Sequence, residues 1–67
     1  MFKVTDEFAT AHEIIRYYDT PEEFAEGERR FFEPSEYEVI DTIADFMASG
    51  KYTGALEVFL GIDIERR

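Results

Sequence analysis

The single histidine of this 67-residue chain lies in His12-Glu13-Ile14-Ile15-Arg16, half of a metal-binding helix. That chemistry needs two imidazoles four residues apart on one helical face, with the glutamate as base. Arg16 stands where the second imidazole belongs. A guanidinium stays protonated and cannot ligate a metal, so His12 reads instead as a partly buried residue on the flank of a helix. Carboxylates are the other chemical resource, with 16 Asp and Glu in the chain. Acid–base or glycosidic chemistry needs two of them in one particular relation, and at this abundance no pair stands out. There is no calcium loop, phosphate-cradling glycine loop or nucleophile elbow. With no cysteine, one histidine and a chain too short to enclose a typical substrate cavity, the expectation is a protein that is not an enzyme and carries no metal or cofactor.

The carboxylates make more sense as a surface. Residues 6–45 hold 13 Asp and Glu against 3 Arg, a charge of −10; residues 1–5 add Lys3, and residues 46–67 balance at 3 and 3, giving −9 in all. Such a field repels nucleic acid and anionic membranes and attracts basic proteins, including those that themselves bind nucleic acid. Glu38, Asp41 and Asp45 recur at i, i+3 and i+7 and would form a ridge rising about 10 Å along a helix. Glu22, Glu23, Glu26 and Glu28 supply a second group. Tyr37, set among Glu36 and Glu38, could anchor a partner or cover the rim of the core, and Tyr17 is expected on the outer side of the first helix beside Glu13. The candidate partner-binding residues are therefore Glu22, Glu23, Glu26, Tyr37, Glu38, Asp41 and Asp45. The competing interpretation of this ridge is a solvated face.

Several elements must position these groups. Around Pro34 to Gly50 the start, period and stop signals agree: Ser35 and Glu38 fit a capping box, Val39, Ile40, Ile43, Phe46 and Met47 share one side, and Gly50 suits a left-handed end. Thr20, Pro21 and Glu23 form a second clean start, for a helix carrying Phe24, Ala25, Phe31 and Phe32 on one side. Glu28 breaks that apolar side, and Gly27 beside it predicts a kink or an early end. From Thr5 or Asp6 to Tyr18, the spacing of Phe8, Ala11, Ile15 and Tyr18 predicts an amphipathic helix, with Glu13 and Arg16 on its outside. Met1 to Val4 is either an edge strand or an extended arm. The last segment supports two assignments. Leu56 to Glu65 alternates like a half-buried strand, while Thr53 to Leu60 suits a short helix burying Ala55, Leu56, Phe59 and Leu60, closed by Gly61 with Ile62 folding back. The helix is preferred, because a strand would find only the Phe2 to Val4 arm to pair with.

The expected fold is thus a single all-α domain spanning residues 1–67, a bundle of three to four short helices, with an α+β alternative if the C-terminal segment is a strand. Eleven Phe and Tyr residues argue for a folded core in a chain near the lower size limit. No apolar run reaches the ~20 residues of a membrane span, and no signal-peptide pattern opens the chain, so a soluble cytoplasmic protein is expected. In size, charge and lack of catalytic groups it resembles the small acidic inhibitors that phages and mobile elements direct against host nucleic-acid enzymes, some of them DNA mimics. That likeness is one of type and rests on no particular residue. The expected function is a protein-binding module that docks its acidic face on the basic, nucleic-acid-binding surface of another protein, without contacting nucleic acid or membrane itself. The alternative is a structural protein or accessory subunit that self-associates, as a homodimer for instance, through aromatics such as Phe31, Phe32 and Phe59, with acidity serving solubility.

Overall fold

Alternation of side chains at the two ends of the chain, in Phe2-Lys3-Val4-Thr5 and Ile62-Asp63-Ile64-Glu65, is the pattern of strands with one face buried. In the computed structural model, which describes residues 1–7 and 15–67, these two stretches pair with each other. Strand β1 (Phe2–Asp6) lies between β2 (Ile15–Tyr18) and β3 (Ile62–Arg66) in an antiparallel sheet of order β2-β1-β3. Val4 stands opposite Arg16 on one side and Ile64 on the other. Helices α1 (Pro21–Glu28), α2 (Tyr37–Ser49) and α3 (Gly54–Leu60) complete an α+β domain, with a 3₁₀ turn at Pro34–Glu36 before α2. The all-α expectation is overturned by this sheet. Its cause is long-range pairing: the N-terminal arm is the central strand, and it serves two partners at once.

The helix expected from Thr5 or Asp6 to Tyr18 is replaced at both ends by strand; the intervening residues 8–14, with Phe8, Ala11, His12 and Glu13, lie outside the described residues. Ile15 and Tyr18 suited a helical face by spacing, but as strand residues they point to opposite sides of the sheet. Arg16 and Tyr18 face the helices, while Ile15 and Tyr17 are exposed.

Local signals hold well for the two long helices. Thr20 accepts the Glu23 N–H at 3.1 Å, Pro21 takes the first helical position, and Glu23 reaches back to the Asp19 N–H. Helix α1 ends after Glu28, close to Gly27 as expected. The glycine has an additional role: a Cβ there would lie 2.4 Å from the Tyr18 ring, so its absence lets β2 approach α1. At α2 the Ser35 to Glu38 box is displaced by two residues. Glu36 instead accepts the Glu33 N–H, and the 3₁₀ turn leads into the helix. Gly50 closes α2 at φ +75°, which only glycine adopts cheaply.

The core is Val4, Phe24, Ile40, Ile43, Ala44, Met47, Leu60 and Ile62. It is one layer of helices against one face of the sheet, each fully buried Phe or Ile contributing about 1.5–3 kcal/mol. Val39 sits at its edge, half-buried, whereas Phe46, expected on the same side, is half-buried under the Lys51 ammonium at 5.3 Å. Both assignments of the C-terminal segment are realised in turn: α3 runs to Leu60, Gly61 reverses the chain at φ +71°, and Ile62 begins β3. The apolar side expected for that helix is corrected, however. Ala55 and Phe59 are exposed, and Glu57 takes a buried place with Leu60.

Candidate functional site

Helices α1 and α2 pack side by side, and their outward faces carry the candidate carboxylates. Glu22, Glu23, Glu26, Glu38, Asp41 and Asp45 are all exposed, and Tyr37 is half-buried. Packing divides them into two groups. Glu22, Asp41 and Asp45 rim a groove of about 350 Å³ between the helices, floored by Ala25, Ala44 and Ala48. Glu23 and Glu26 fall on the other side of α1, beside Tyr18, Gly27 and Arg30 around a second depression of about 380 Å³. Glu38 extends the first group along α2 by one turn.

Not all these charges are available. Glu23 serves as part of the α1 cap. Asp41 receives both oxygens' worth of contact from Arg29, at 2.8 Å each, in an exposed ion pair. The hydrogen bond and charge of Asp41 hold the Arg29 guanidinium above its ordinary pKa. Arg29 also lies over the Tyr37 ring at 5.0 Å, and the Tyr37 hydroxyl donates to the Arg29 carbonyl at 3.3 Å. Tyr37 is thereby packed, half-buried, on the core rim. Glu22, Glu26, Glu38 and Asp45 have no side-chain partner among the described residues.

A second polar cluster was not anticipated as a unit. Glu28 is fully buried, and its carboxylate accepts hydrogen bonds from Arg16 Nε at 2.6 Å, Arg16 Nη2 at 2.7 Å and the Tyr18 hydroxyl at 2.6 Å. Asp6 approaches Arg16 Nη2 at 3.4 Å, and the guanidinium lies over the Phe31 ring at 4.2 Å. The signal was present in the sequence: a glutamate on the apolar side of a helix requires a cation or several donors when buried. Burial pushes the Tyr18 phenol up to about 12, helped by its hydrogen bond to Glu28 and by the charge of that carboxylate. Burial lowers the Arg16 pKa, but the Glu28 hydrogen bond and the charges of Glu28, Tyr18 and Asp6 outweigh it, and the net shift is upward. Tyr18 therefore keeps its proton and Arg16 its charge throughout the neutral range. The cluster ties β2 and β1 to α1. It acts as a clamp between them.

Among the described residues no three His, Asp or Glu side chains come together as a metal-ligand set, and no helix is long and apolar enough to cross a membrane. Compared with family models, curated proteins and solved structures, the chain matches none of them.

Proposed function

We propose that this chain is a protein-binding module of the cytoplasm, docking the α1–α2 face on the basic, nucleic-acid-binding surface of another protein and occluding it. The observation that carries the reading is a set of carboxylates on a packed helix pair with no cation among the described residues to neutralise them: Glu22, Glu38 and Asp45, with Asp41 shared with Arg29. Along α2, Glu38, Asp41 and Asp45 are spaced about 5 Å per charge in axial rise, against 3.4 Å per phosphate along one DNA strand. A surface built to hold phosphates finds comparable, if sparser, charge here. Electrostatics of this kind sets encounter rate and selectivity against acidic partners.

Affinity capture from lysate, eluted by a salt gradient, tests the reading. Basic proteins should be retained at low salt, elute as salt rises, and be displaced by duplex DNA. Charge reversal of Glu22, Glu38 and Asp45 together should abolish capture, whereas reversal of Glu26 on the opposite side of α1 should change it little. Capture indifferent to ionic strength or to duplex competitor would sink the proposal.

A further inference from the structure

Helix α3 is apolar on two sides: Leu56 and Leu60 pack on the core, and a second apolar set faces outward. Its one charged residue, Glu57, is 8% exposed, whereas Val58 and Phe59 are 78% and 70% exposed. Ala55, on the same outward side, is exposed as well. Leu56 and Leu60 set the inward side of the helix, and Glu57, buried beside them, needs a partner of its own. What holds it is the edge of the sheet. The bonds from Arg67 N–H to the Met1 carbonyl and from Glu7 N–H to the Gly61 carbonyl set the phase of the β1–β3 ladder. The Val4 and Ile64 pair is therefore non-bonded, and the Ile64 N–H points away from β1. Glu57 Oε1 accepts that N–H at 2.7 Å, and its other oxygen accepts the Thr53 hydroxyl. The carboxylate satisfies an open strand edge, and in doing so it fixes the rotation of α3.

The consequence is an apolar surface. Ala55, Val58 and Phe59 stand outward along α3, and Tyr52, 89% exposed, rests its ring against Gly54, where a Cβ would lie 2.1 Å from the hydroxyl. Beside them an open groove of about 520 Å³ runs between Tyr52, Val58 and the β3 residues Ile62 and Ile64, with Glu7, Lys51, Asp63 and Arg66 along it. Phe31 and Phe32 do not add to this surface: the first lies under the Arg16 and Arg30 guanidinium groups and the second packs on the core.

Charge distinguishes the occupants. A basic partner is drawn to residues 6–45, which carry −10, and not to this end of the molecule. Around the groove Lys51 and Arg66 stand against Glu7, Asp63 and the buried Glu57, a near balance of opposite charges. An isologous interface brings a patch against itself, so a balanced, apolar patch can self-associate where a charged one repels. We propose that the α3 face, with Tyr52, Val58 and Phe59 at its centre, is a two-fold docking surface for a second copy of this chain. It is separate from the acidic face, which each copy leaves outward. A contact built on one seven-residue helix falls below about 1,200 Å² in total, the range of weak and reversible association, with dissociation constants near micromolar or above.

Sedimentation equilibrium of the full chain up to about 200 μM is expected to show monomer and dimer, within the range such a contact supports. Added salt should tighten the dimer, because it screens the repulsion between two chains of −9. Salt should weaken docking of the acidic face, so the two interactions are distinguishable in one titration. Val58→Glu and Phe59→Glu should each weaken the dimer by at least about 30-fold, since each sets a carboxylate against its own copy. A monomer at every concentration overturns the proposal, as does a dimer insensitive to both substitutions. Should either variant lose its circular dichroism signature, a spin label on Ala55→Cys supplies the second measurement. Label separations shorter than the molecule's 20 Å short dimension are expected, and longer ones overturn the proposal.

Discussion

Glu28→Gln preserves the shape of the side chain at the centre of the clamp and removes its charge. In the native protein the carboxylate accepts three hydrogen bonds, two from Arg16 and one from Tyr18. A glutamine offers one carbonyl and turns an NH₂ group toward a donor, leaving Arg16 buried with Asp6 at 3.4 Å as its remaining described carboxylate. Removing one partner of a buried ion pair costs about 3–5 kcal/mol. A chain of this size has a total stability of roughly 3–10 kcal/mol, so the substitution should leave it barely folded at room temperature. Urea denaturation followed by circular dichroism gives the readout: with a slope near 1 kcal/mol per molar, the midpoint should fall by about 3 M. The second arm replaces the pair by apolar groups. Arg16→Met with Glu28→Leu removes both charges of the close pair and should be more stable than either single variant, because what is then lost is one 3.4 Å contact of Asp6 and the acceptor of the Tyr18 hydroxyl, less than a buried ion pair broken on one side. A loss below about 1 kcal/mol in Glu28→Gln would refute the clamp, being no more than an exposed pair is worth. A double variant no more stable than the singles would refute it equally.

The remaining predictions concern the same junction. Gly27→Ala improves helix propensity by about 1 kcal/mol, yet its Cβ would meet the Tyr18 ring at 2.4 Å. Net destabilisation of about 1–2 kcal/mol is expected, and thermal denaturation would show a lowered Tm where propensity alone raises it. Tyr18 titrates at about 12 in the folded chain against 10.0 for a free phenol, so its contribution is complete below pH 10 and is lost as pH rises to 12. For a half-buried group this amounts to about 1–2 kcal/mol. Tyr18→Phe should flatten that part of the stability profile, measured by urea midpoints from pH 8 to 12; an unchanged slope would argue against a phenol raised by burial and by Glu28.

Residues 20–28 and 37–50 were legible because their information is local. Thr20, Pro21 and Glu23 cap a helix whatever lies elsewhere, and Gly50 ends one because a left-handed residue is needed there. Gly61 belongs with them, and so does the exposure of Glu22, Glu26, Glu38 and Asp45, since unpaired carboxylates stay in water. Tyr37 was legible as a residue at the edge of the core, but its contacts with Arg29 were not.

The sheet was not legible, for a physical reason. Val4 pairs with Ile64 across 60 residues and with Arg16 across 12, and nothing near Val4 encodes either partner. Ile15 and Tyr18 satisfy a helical spacing as readily as they fit a strand, and the strand turns Arg16 inward only because Glu28 arrives from α1 to receive it. Glu57 repeats the lesson at the other edge, buried to meet the Ile64 N–H while Val58 and Phe59 are turned to solvent. Sequence by itself determined where α1 begins, where α2 ends and that Glu22, Glu26, Glu38 and Asp45 stay in water. Tertiary structure decided what the two misplaced glutamates were for, because a buried charge or an open strand edge is satisfied only by groups that folding brings from elsewhere in the chain.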